Sequence, residues 1–115
     1  MIQRIDVGPR MSEAAIHNGV VYLAGQVATG AATDIGGQTR DVLAAIDALL
    51  AKAGTDKSRV LRAQIFLADM ADFPGMNAVW DQWVVPGHTP ARATVQAALA
   101  KPQWKVEIVV TAAMP

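Results

Sequence analysis

The hydrophobic positions along the chain follow two different periods, which predict strands and helices in turn. Weak alternation over Met1–Val7 predicts a first strand, and a Gly-Pro pair ends it. Two apolar segments, Ala14–His17 and Val20–Val27, flank the dipeptide Asn18-Gly19. Both residues of that dipeptide tolerate a positive φ, so it predicts a type I′ turn. We therefore expect the chain to open with three strands, the second and third joined as a hairpin.

Helical spacing of apolar residues marks two later segments. In the first, from Gln38 to Ala53, the residues that recur at this spacing are Val42, Leu43, Ile46, Leu49 and Leu50. Gly54 predicts the end of this helix, and Asp34 is the acid expected near its N-terminus. The second helix is expected to begin with Asp72 as its N-cap and to end before Pro86-Gly87. Its apolar stripe, typical of a helix packed on a sheet, consists of Met76, Val79, Trp80 and Trp83.

Alternation returns in the second half of the chain. It predicts a strand over Val60–Ala68 with one apolar face formed by Leu61, Ala63, Ile65 and Leu67. Two more strands are predicted at 92–99 and 105–112, separated by a loop around Pro102. Single strands separate the helices, which favours crossover connections. We therefore expect one α+β domain over residues 1–115, in the order βββαβαββ, with a mixed sheet and two helices on one of its faces.

Composition narrows the class of protein. Hydrophobic residues make up 52% of the 115 residues and charged residues only 17%. A monomer of this size would expose much apolar surface, so we expect an oligomer. The formal net charge of +0 argues against a nucleic-acid partner, and no apolar run is long enough to cross a membrane. With no cysteine and no signal-peptide pattern, a cytoplasmic protein is expected.

Several familiar kinds of site do not match the sequence. His17 and His88 share no helical face and have too few companions for a metal site, so no metal is expected. His17 is interpreted as a surface residue at the hairpin turn, and His88 as a loop residue, either on the surface or at a pocket mouth. Gly36-Gly37 lacks the spacing and the following Lys of a phosphate-binding loop, and no Gly-x-Ser-x-Gly elbow is present.

The last quarter of the chain places one charge in each of two apolar strands. Burying Arg92 or Glu107 costs free energy, so each needs a partner or a ligand. For Arg92 the alternatives are a structural contact with a neighbouring carboxylate or a helix C-terminus, and a guanidinium fork that grips a substrate carboxylate. For Glu107 they are an outward, solvated position paired with Lys105 or with a partner strand, and a carboxylate that holds or activates a water molecule.

Strand direction limits how these two charges can meet. If strands 92–99 and 105–112 are antiparallel, Arg92 and Glu107 start from opposite ends and are offset by about five residues, or roughly 17 Å. They are therefore not expected to touch within one subunit. A site that uses both must lie between subunits.

Taken together, blocks of sequence along nearly the whole chain resemble the YjgF/YER057c/UK114 family, also called the Rid family. The blocks are Val21–Gln26, Gln38–Leu43, Asp69–Trp80, and the C-terminal pair Pro90–Val95 and Val106–Ile108. The resemblance implies a chorismate-mutase-like fold and a homotrimer with sheets inside, helices outside and three clefts between subunits. The best-known members hydrolyse reactive 2-imino and 2-enamino acids to 2-keto acids and ammonia, without a metal or a cofactor.

The resemblance also implies roles for single residues. Arg92 matches the Arg that grips the substrate carboxylate, and Glu107 matches the acid proposed to position water. Asn77 matches a helix Asn near the cleft, and Gly25 a strand Gly whose backbone approaches the ligand. Thr94 stands where many members have a Cys.

The main departure from the family lies in the N-terminal motif. Many deaminating members read Gly-Pro-Tyr-Ser-Gln-Ala there, and this chain has Ser12 in place of the Tyr that borders the ligand. Two functions therefore stay open. One is cofactor-free hydrolysis, in which Arg92 holds the carboxylate and Glu107 directs water. The other is a non-catalytic binder or sensor of small carboxylates that uses the same Arg. Ribonuclease activity, a third interpretation, is disfavoured by the neutral charge and the few aromatic residues.

Overall fold

Seven strands form one mixed sheet in the computed structural model, which describes residues 1–115. The strands are β1 (Gln3–Val7), β2 (Ser12–His17), β3 (Val20–Leu23), β4 (Gln26–Val27), β5 (Val60–Leu67), β6 (Ala91–Gln96) and β7 (Val106–Ala113). Their order across the sheet is β1-β2-β3-β7-β5-β6, and β4 also pairs with β7. The pair β5–β6 is parallel and the other pairs are antiparallel. Two helices, α1 (Ile35–Ala53) and α2 (Phe73–Trp83), pack on one face, which confirms the predicted α+β fold.

The first helix begins earlier than its apolar spacing predicts. The Asp34 carboxylate accepts a hydrogen bond from the Gly37 amide at 3.2 Å, so α1 starts at Ile35 rather than at Gln38. Gly54 ends the helix in the left-handed conformation, with φ of 92°, as predicted. A side-chain cap upstream of the apolar stripe therefore decides where the helix begins.

The predicted cap of the second helix is wrong in its detail. Asp72 does precede α2, but its side chain makes no capping hydrogen bond. A short 3₁₀ turn at Met70–Asp72 comes first, and Asp69 caps that turn by accepting from the Ala71 amide at 2.9 Å. The extra turn satisfies the backbone before α2 starts, which leaves the Asp72 carboxylate without a capping role.

Two strand predictions need correction. The Asn18-Gly19 turn is confirmed, with φ of 50° and 76°, but the strand expected over Val20–Val27 is interrupted at Ala24-Gly25. The prediction that Leu61 lies on the buried face of β5 is wrong. Leu61 is 50% exposed, whereas its neighbour Val60 is 5% exposed. The pairing of β5 with β7 shifts register at this end, so the alternation that holds further along the strand does not reach Leu61.

The core lies between the helices and one face of the sheet. Its fully buried side chains include Ile46 and Leu50 of α1, Met76 of α2, Ile65 of β5 and Ile108 of β7. No helix of the chain combines the length and the apolar character that a membrane span requires.

The other face of the sheet is not covered by any element of the chain. We call it the open face, and it carries Tyr22, Phe66, Val95, Glu107 and Val109. Tyr22 and Val95 are 52% and 44% exposed there. Because side chains alternate along a strand, each site residue is assigned to the helix side or to the open face by its position.

Candidate functional site

Arg92 lies on the helix side of β6, beside α2. It pairs with Ala63, which is fully buried under the helices. Its Nη1 donates a hydrogen bond to Oδ1 of Asn77 at 2.8 Å. The guanidinium carbon lies 5.2 Å from the ring centroid of Trp80 and 5.8 Å from that of Phe73. The side chain is therefore held by one amide and two aromatic rings.

The Arg92 guanidinium has no anionic partner in the chain. The one salt bridge is between Lys52 and Asp6, so the expected alternative of an Arg92–carboxylate pair does not hold. With Nη1 bound to Asn77, the edge formed by Nε and Nη2 makes no hydrogen bond. That edge is one of the two that can hold a carboxylate through parallel hydrogen bonds. A half-buried cation with neutral neighbours and a free fork suits an anionic ligand.

Thr94 lies two residues further along the same side of β6. It pairs with the buried Ile65, so its side chain points to the helix side, as that of Arg92 does. Its hydroxyl oxygen is buried and has no hydrogen-bond partner. Unsatisfied buried hydroxyls are uncommon in folded proteins, which makes Thr94 a second group with unused polar capacity. Arg92, Asn77 and Thr94 form what we call the Arg92 half-site.

Glu107 lies on the open face of β7, between Phe66 of β5 and Val27 of β4. Its carboxylate makes no hydrogen bond and no ion pair, so the expected alternative of a pair with Lys105 does not hold either. The carboxylate lies directly against the backbone of Gly25, and a Cβ atom at Gly25 would collide with it. The interruption between β3 and β4 therefore supplies the space in which this acid sits.

Ser12 lies next to this interruption. The Ala24 amide donates to the Glu13 carbonyl at 2.8 Å, which places the start of β2 alongside the Ala24-Gly25 segment. Ser12 lies two residues before the buried Ala14 on β2, so its side chain points to the helix side. Glu107 and Gly25 form what we call the Glu107 half-site. A cavity of about 220 Å³ opens beside Glu107 and is otherwise apolar, with Phe66, Ala97, Ala98, Leu99 and Ala100 as its walls.

The two half-sites do not meet within the chain. Arg92 and Glu107 lie on opposite sides of the sheet, with β5 between their strands. Two strand spacings across the sheet and three residues along it put their Cα atoms about 14 Å apart. The strands are antiparallel in direction, as expected, but they are not neighbours. The structure thus brings five of the six predicted site residues together as two separate groups, Arg92 with Asn77 and Thr94, and Glu107 with Gly25. Ser12 lies near the second group but points to the other side of the sheet.

Sequence reasoning missed two contacts of the Arg92 half-site. Trp80 was assigned to core packing and Phe73 was given no role, yet both rings face the guanidinium. Their spacing of four and three residues around Asn77 places all three on one side of α2, which is the signal that could have linked them. The other chemistry-bearing groups lie elsewhere: His88 borders a cavity of about 380 Å³ with Arg59, and no group of three metal-binding side chains comes together.

This arrangement defines a class: a small α+β protein whose sheet carries unpaired charges of opposite sign on its two sides. The sequence model of a family described as "Endoribonuclease L-PSP" matches residues 1–114. The chain belongs to that family, whose members also carry the names YjgF/YER057c/UK114 and Rid.

Individual relatives agree with this assignment. A RutC family protein of Haemophilus ducreyi is 56% identical over 114 residues, covering 99% of this chain and 97% of that protein. The RutC family protein YoaB of Escherichia coli is 50% identical over 113 residues, covering 98% of both chains. The crystal structure of NMB1025 from Neisseria meningitidis, a member of the YjgF protein family, superimposes with a TM-score of 0.98 at 49% identity. That match covers 100% of this chain and 96% of NMB1025.

Proposed function

We propose that this protein hydrolyses reactive 2-imino and 2-enamino acids to 2-keto acids and ammonia without a cofactor. The observation that carries the proposal is the Arg92 guanidinium, which is half-buried, held by neutral groups and free along its Nε–Nη2 edge. A 2-imino acid supplies the carboxylate that this edge lacks. The chemistry at the other end of such a substrate needs an acid–base group, and Glu107 is the unpaired candidate.

The reaction balances with water as the only other reactant. Water adds to C2 of the imine, and Glu107 accepts one of its protons as the new C–O bond forms. That proton passes to the nitrogen and gives a carbinolamine, which carries a hydroxyl and an NH2 group on C2. Glu107 then moves the hydroxyl proton to the nitrogen as the C–N bond breaks, so ammonia leaves and the carbonyl of the keto acid forms. A 2-enamino acid enters the same sequence after C3 takes a proton from solvent and the double bond shifts to the imine. Arg92 stays bound to the carboxylate throughout, and backbone groups near Gly25 and Thr94 are proposed to polarise the substrate.

The proposed site lies between subunits of a homotrimer. Two observations support an assembly: the uncovered apolar face of the sheet, and half-sites that do not meet within one chain. In a closed ring, the Arg92 half-site of one subunit is proposed to face the Glu107 half-site of the next. Light scattering of the purified protein should give about three times the chain mass of 12.1 kDa. A stable monomer at micromolar concentration would contradict the inter-subunit site.

A second candidate function is the binding of small carboxylates without turnover. The observation that favours it is Ser12 beside the Ala24-Gly25 segment, where the resemblance implies a Tyr in many deaminating members. Under this alternative Arg92 keeps its role and Glu107 has no substrate to activate. The description of the family names an endoribonuclease. RNA binding depends largely on positive charge that contacts the phosphates, and a net charge of +0 does not favour it for this chain.

The deciding experiment compares turnover with binding in one preparation. An amino-acid oxidase generates 2-imino acids in the presence of the protein, and ammonia release is measured against the uncatalysed rate. Calorimetry with a 2-keto acid measures binding at the same time. Ammonia release above background supports hydrolysis, whereas keto-acid binding without it supports the binder. If Ser12→Tyr releases ammonia and the wild-type protein does not, the wild-type protein is a carboxylate binder that has the fold of the deaminating members. If neither form ever releases ammonia, the hydrolase proposal is wrong.

A further inference from the structure

Three residues of α2 contact the same side chain of β6. Phe73, Asn77 and Trp80 lie on one stripe of the helix, because they are four and three residues apart. Asn77 accepts a hydrogen bond from Nη1 of Arg92 at 2.8 Å. The two rings lie 5.8 and 5.2 Å from the guanidinium carbon, as measured to their centroids. One stripe of one helix therefore serves a single arginine.

We propose that Trp80 and Phe73 are positioning residues that fix the guanidinium of Arg92 in the orientation that receives a carboxylate. This inference rests on the proposed function, because it assumes that Arg92 binds the ligand carboxylate. It goes beyond that function by assigning the orientation of the anchor to residues that do not touch the ligand. Asn77 alone holds one nitrogen and leaves the guanidinium free to turn about that contact.

The chemistry of the two rings suits this role. Aromatic faces attract a guanidinium without carrying a charge, so they restrain it without neutralising it. A carboxylate in their place would also orient Arg92, but it would occupy the edge that the ligand needs. Trp80 is only 5% exposed, so its ring is held by the core and does not follow the arginine. The guanidinium thus meets its ligand with its orientation already restricted.

Trp83 provides the contrast within the same helix. It is similarly buried, at 8% exposure, but its indole N–H donates to both carboxylate oxygens of Asp47 on α1, each at 3.1 Å. Its ring is covered by the Lys57 ammonium at 5.5 Å and makes no contact with Arg92 of the kind that Trp80 makes. Trp83 therefore joins the two helices. Its ring centroid also lies 5.3 Å from that of Trp80, so the control for Trp80 is Trp83→Phe, which keeps a ring at this contact and loses only the indole N–H.

The test measures pyruvate binding by calorimetry in Trp80→Met and Phe73→Leu, with Trp83→Phe as the control. Met fills similar space without an aromatic face. Pyruvate affinity should fall about 2- to 30-fold in the first two variants, the scale of a cation–π contact, and should stay at the wild-type value in the control. Trp80→Phe, which keeps an aromatic face, should recover most of the loss. With imino-acid substrates, KM should rise while kcat changes little, because the carboxylate is held equally in the ground and transition states.

A spectroscopic readout separates positioning from stability. In ¹⁵N-labelled protein without ligand, the Nε–Hε signal of Arg92 should be displaced by the ring currents. It should return toward the ordinary arginine position in Trp80→Met but not in Trp83→Phe. Arg92→Lys identifies the signal by removing it.

The possible results separate a failure of the positioning role from a failure of the proposed function. If the wild-type protein binds pyruvate and Phe73→Leu and Trp80→Met bind it equally well, the positioning role is wrong and the proposed function stands. If Trp80→Met does not fold, Phe73→Leu decides alone, since Phe73 is only half-buried at the start of α2. If the wild-type protein neither binds pyruvate nor releases ammonia, the proposed function fails and the inference fails with it.

Discussion

The two half-sites keep a charge unpaired by opposite means. Around Arg92 the fold places side chains: two aromatic rings and the amide of Asn77, all of them neutral. Around Glu107 the fold has no side chain at position 25. Only a glycine there leaves enough space for the carboxylate beside β3 and β4. The Arg92 guanidinium is therefore held by packed side chains, whereas the Glu107 carboxylate occupies space that a side chain at position 25 would fill.

This difference suits two different tasks. A guanidinium held by packed groups has a restricted orientation, which favours binding of a planar carboxylate in the ground state. A carboxylate that lies beside bare backbone and next to a cavity of about 220 Å³ has room for a water molecule. Changes at the Arg92 half-site should therefore alter affinity, and changes at the Glu107 half-site should alter turnover.

The largest effect is expected for Glu107→Gln. Gln keeps the shape of the side chain and removes the group that accepts a proton. Turnover of imino acids should fall roughly 10²–10⁴-fold, the usual scale for general acid–base groups. Keto-acid affinity should be unchanged or better, since a negative charge near a bound anion is lost. Steady-state kinetics measures turnover, and calorimetry on the same variant measures keto-acid affinity. An equal loss of turnover and affinity would contradict the assignment of turnover to one half-site and binding to the other.

The next effect is expected for Arg92→Lys. Lys keeps the charge but has neither the planar fork nor the second parallel hydrogen bond. Keto-acid binding should weaken by roughly 1.5–3 kcal/mol, the range of a hydrogen bond to a charged group. Light scattering on the same sample provides the control for assembly. If the oligomer dissociates while binding per folded chain is unchanged, Arg92 is a structural residue.

A smaller effect of the same kind is expected for Asn77→Asp. The substitution is nearly isosteric and supplies the anion that Arg92 lacks. Replacing a neutral hydrogen bond by a charged one should favour the internal pair by about 1–1.5 kcal/mol, or roughly tenfold in keto-acid affinity. Thermal unfolding should show no loss of stability. Unchanged affinity would mean that the neutrality of this neighbour does not matter.

The smallest effect is expected for Gly25→Ala, with Gly30→Ala as its matched control. A Cβ at either position meets a carboxylate, that of Glu107 for Gly25 and that of Asp41 for Gly30. Each acid must leave its rotamer, which should cost about 0.5–1.5 kcal/mol of unfolding free energy in both variants. Only Gly25→Ala should also slow turnover, because only Glu107 serves the proposed reaction. Equal activity in the two variants would contradict that role.

The fold was largely predictable because its local signals agree with one another. Asn18-Gly19 specifies its turn through two positive φ values, and Gly54 ends α1 in the left-handed conformation. Leu61 could not be placed, because a register shift depends on how β5 pairs with β7, a strand that lies far along the chain. Alternation within one strand carries no information about its partner.

The candidate site residues could be named from the sequence, but their arrangement could not be predicted. The charges of Arg92 and Glu107 were conspicuous because their strands are otherwise apolar. The residues around these charges were not conspicuous. The parallel pairing of β6 with β5 decides on which side of the sheet Arg92 lies, and the sequence of β6 does not show this pairing. The role of Trp80 was hidden for the same reason: a helix stripe that faces the core and one that faces an arginine have the same spacing.

The two outer strands of the sheet differ in how they are protected from other chains. Strand β1 carries alternating charges, and one of them, Asp6, is tied to Lys52 on α1. Strand β6 pairs only with β5, so its outer backbone groups are unpaired within the chain, and the Ala-rich segment 97–100 follows it. Free edges of this kind are templates for aggregation. Refolding at high chain concentration should therefore lead to irregular edge-to-edge association at β6, and refolding at low concentration should reduce it.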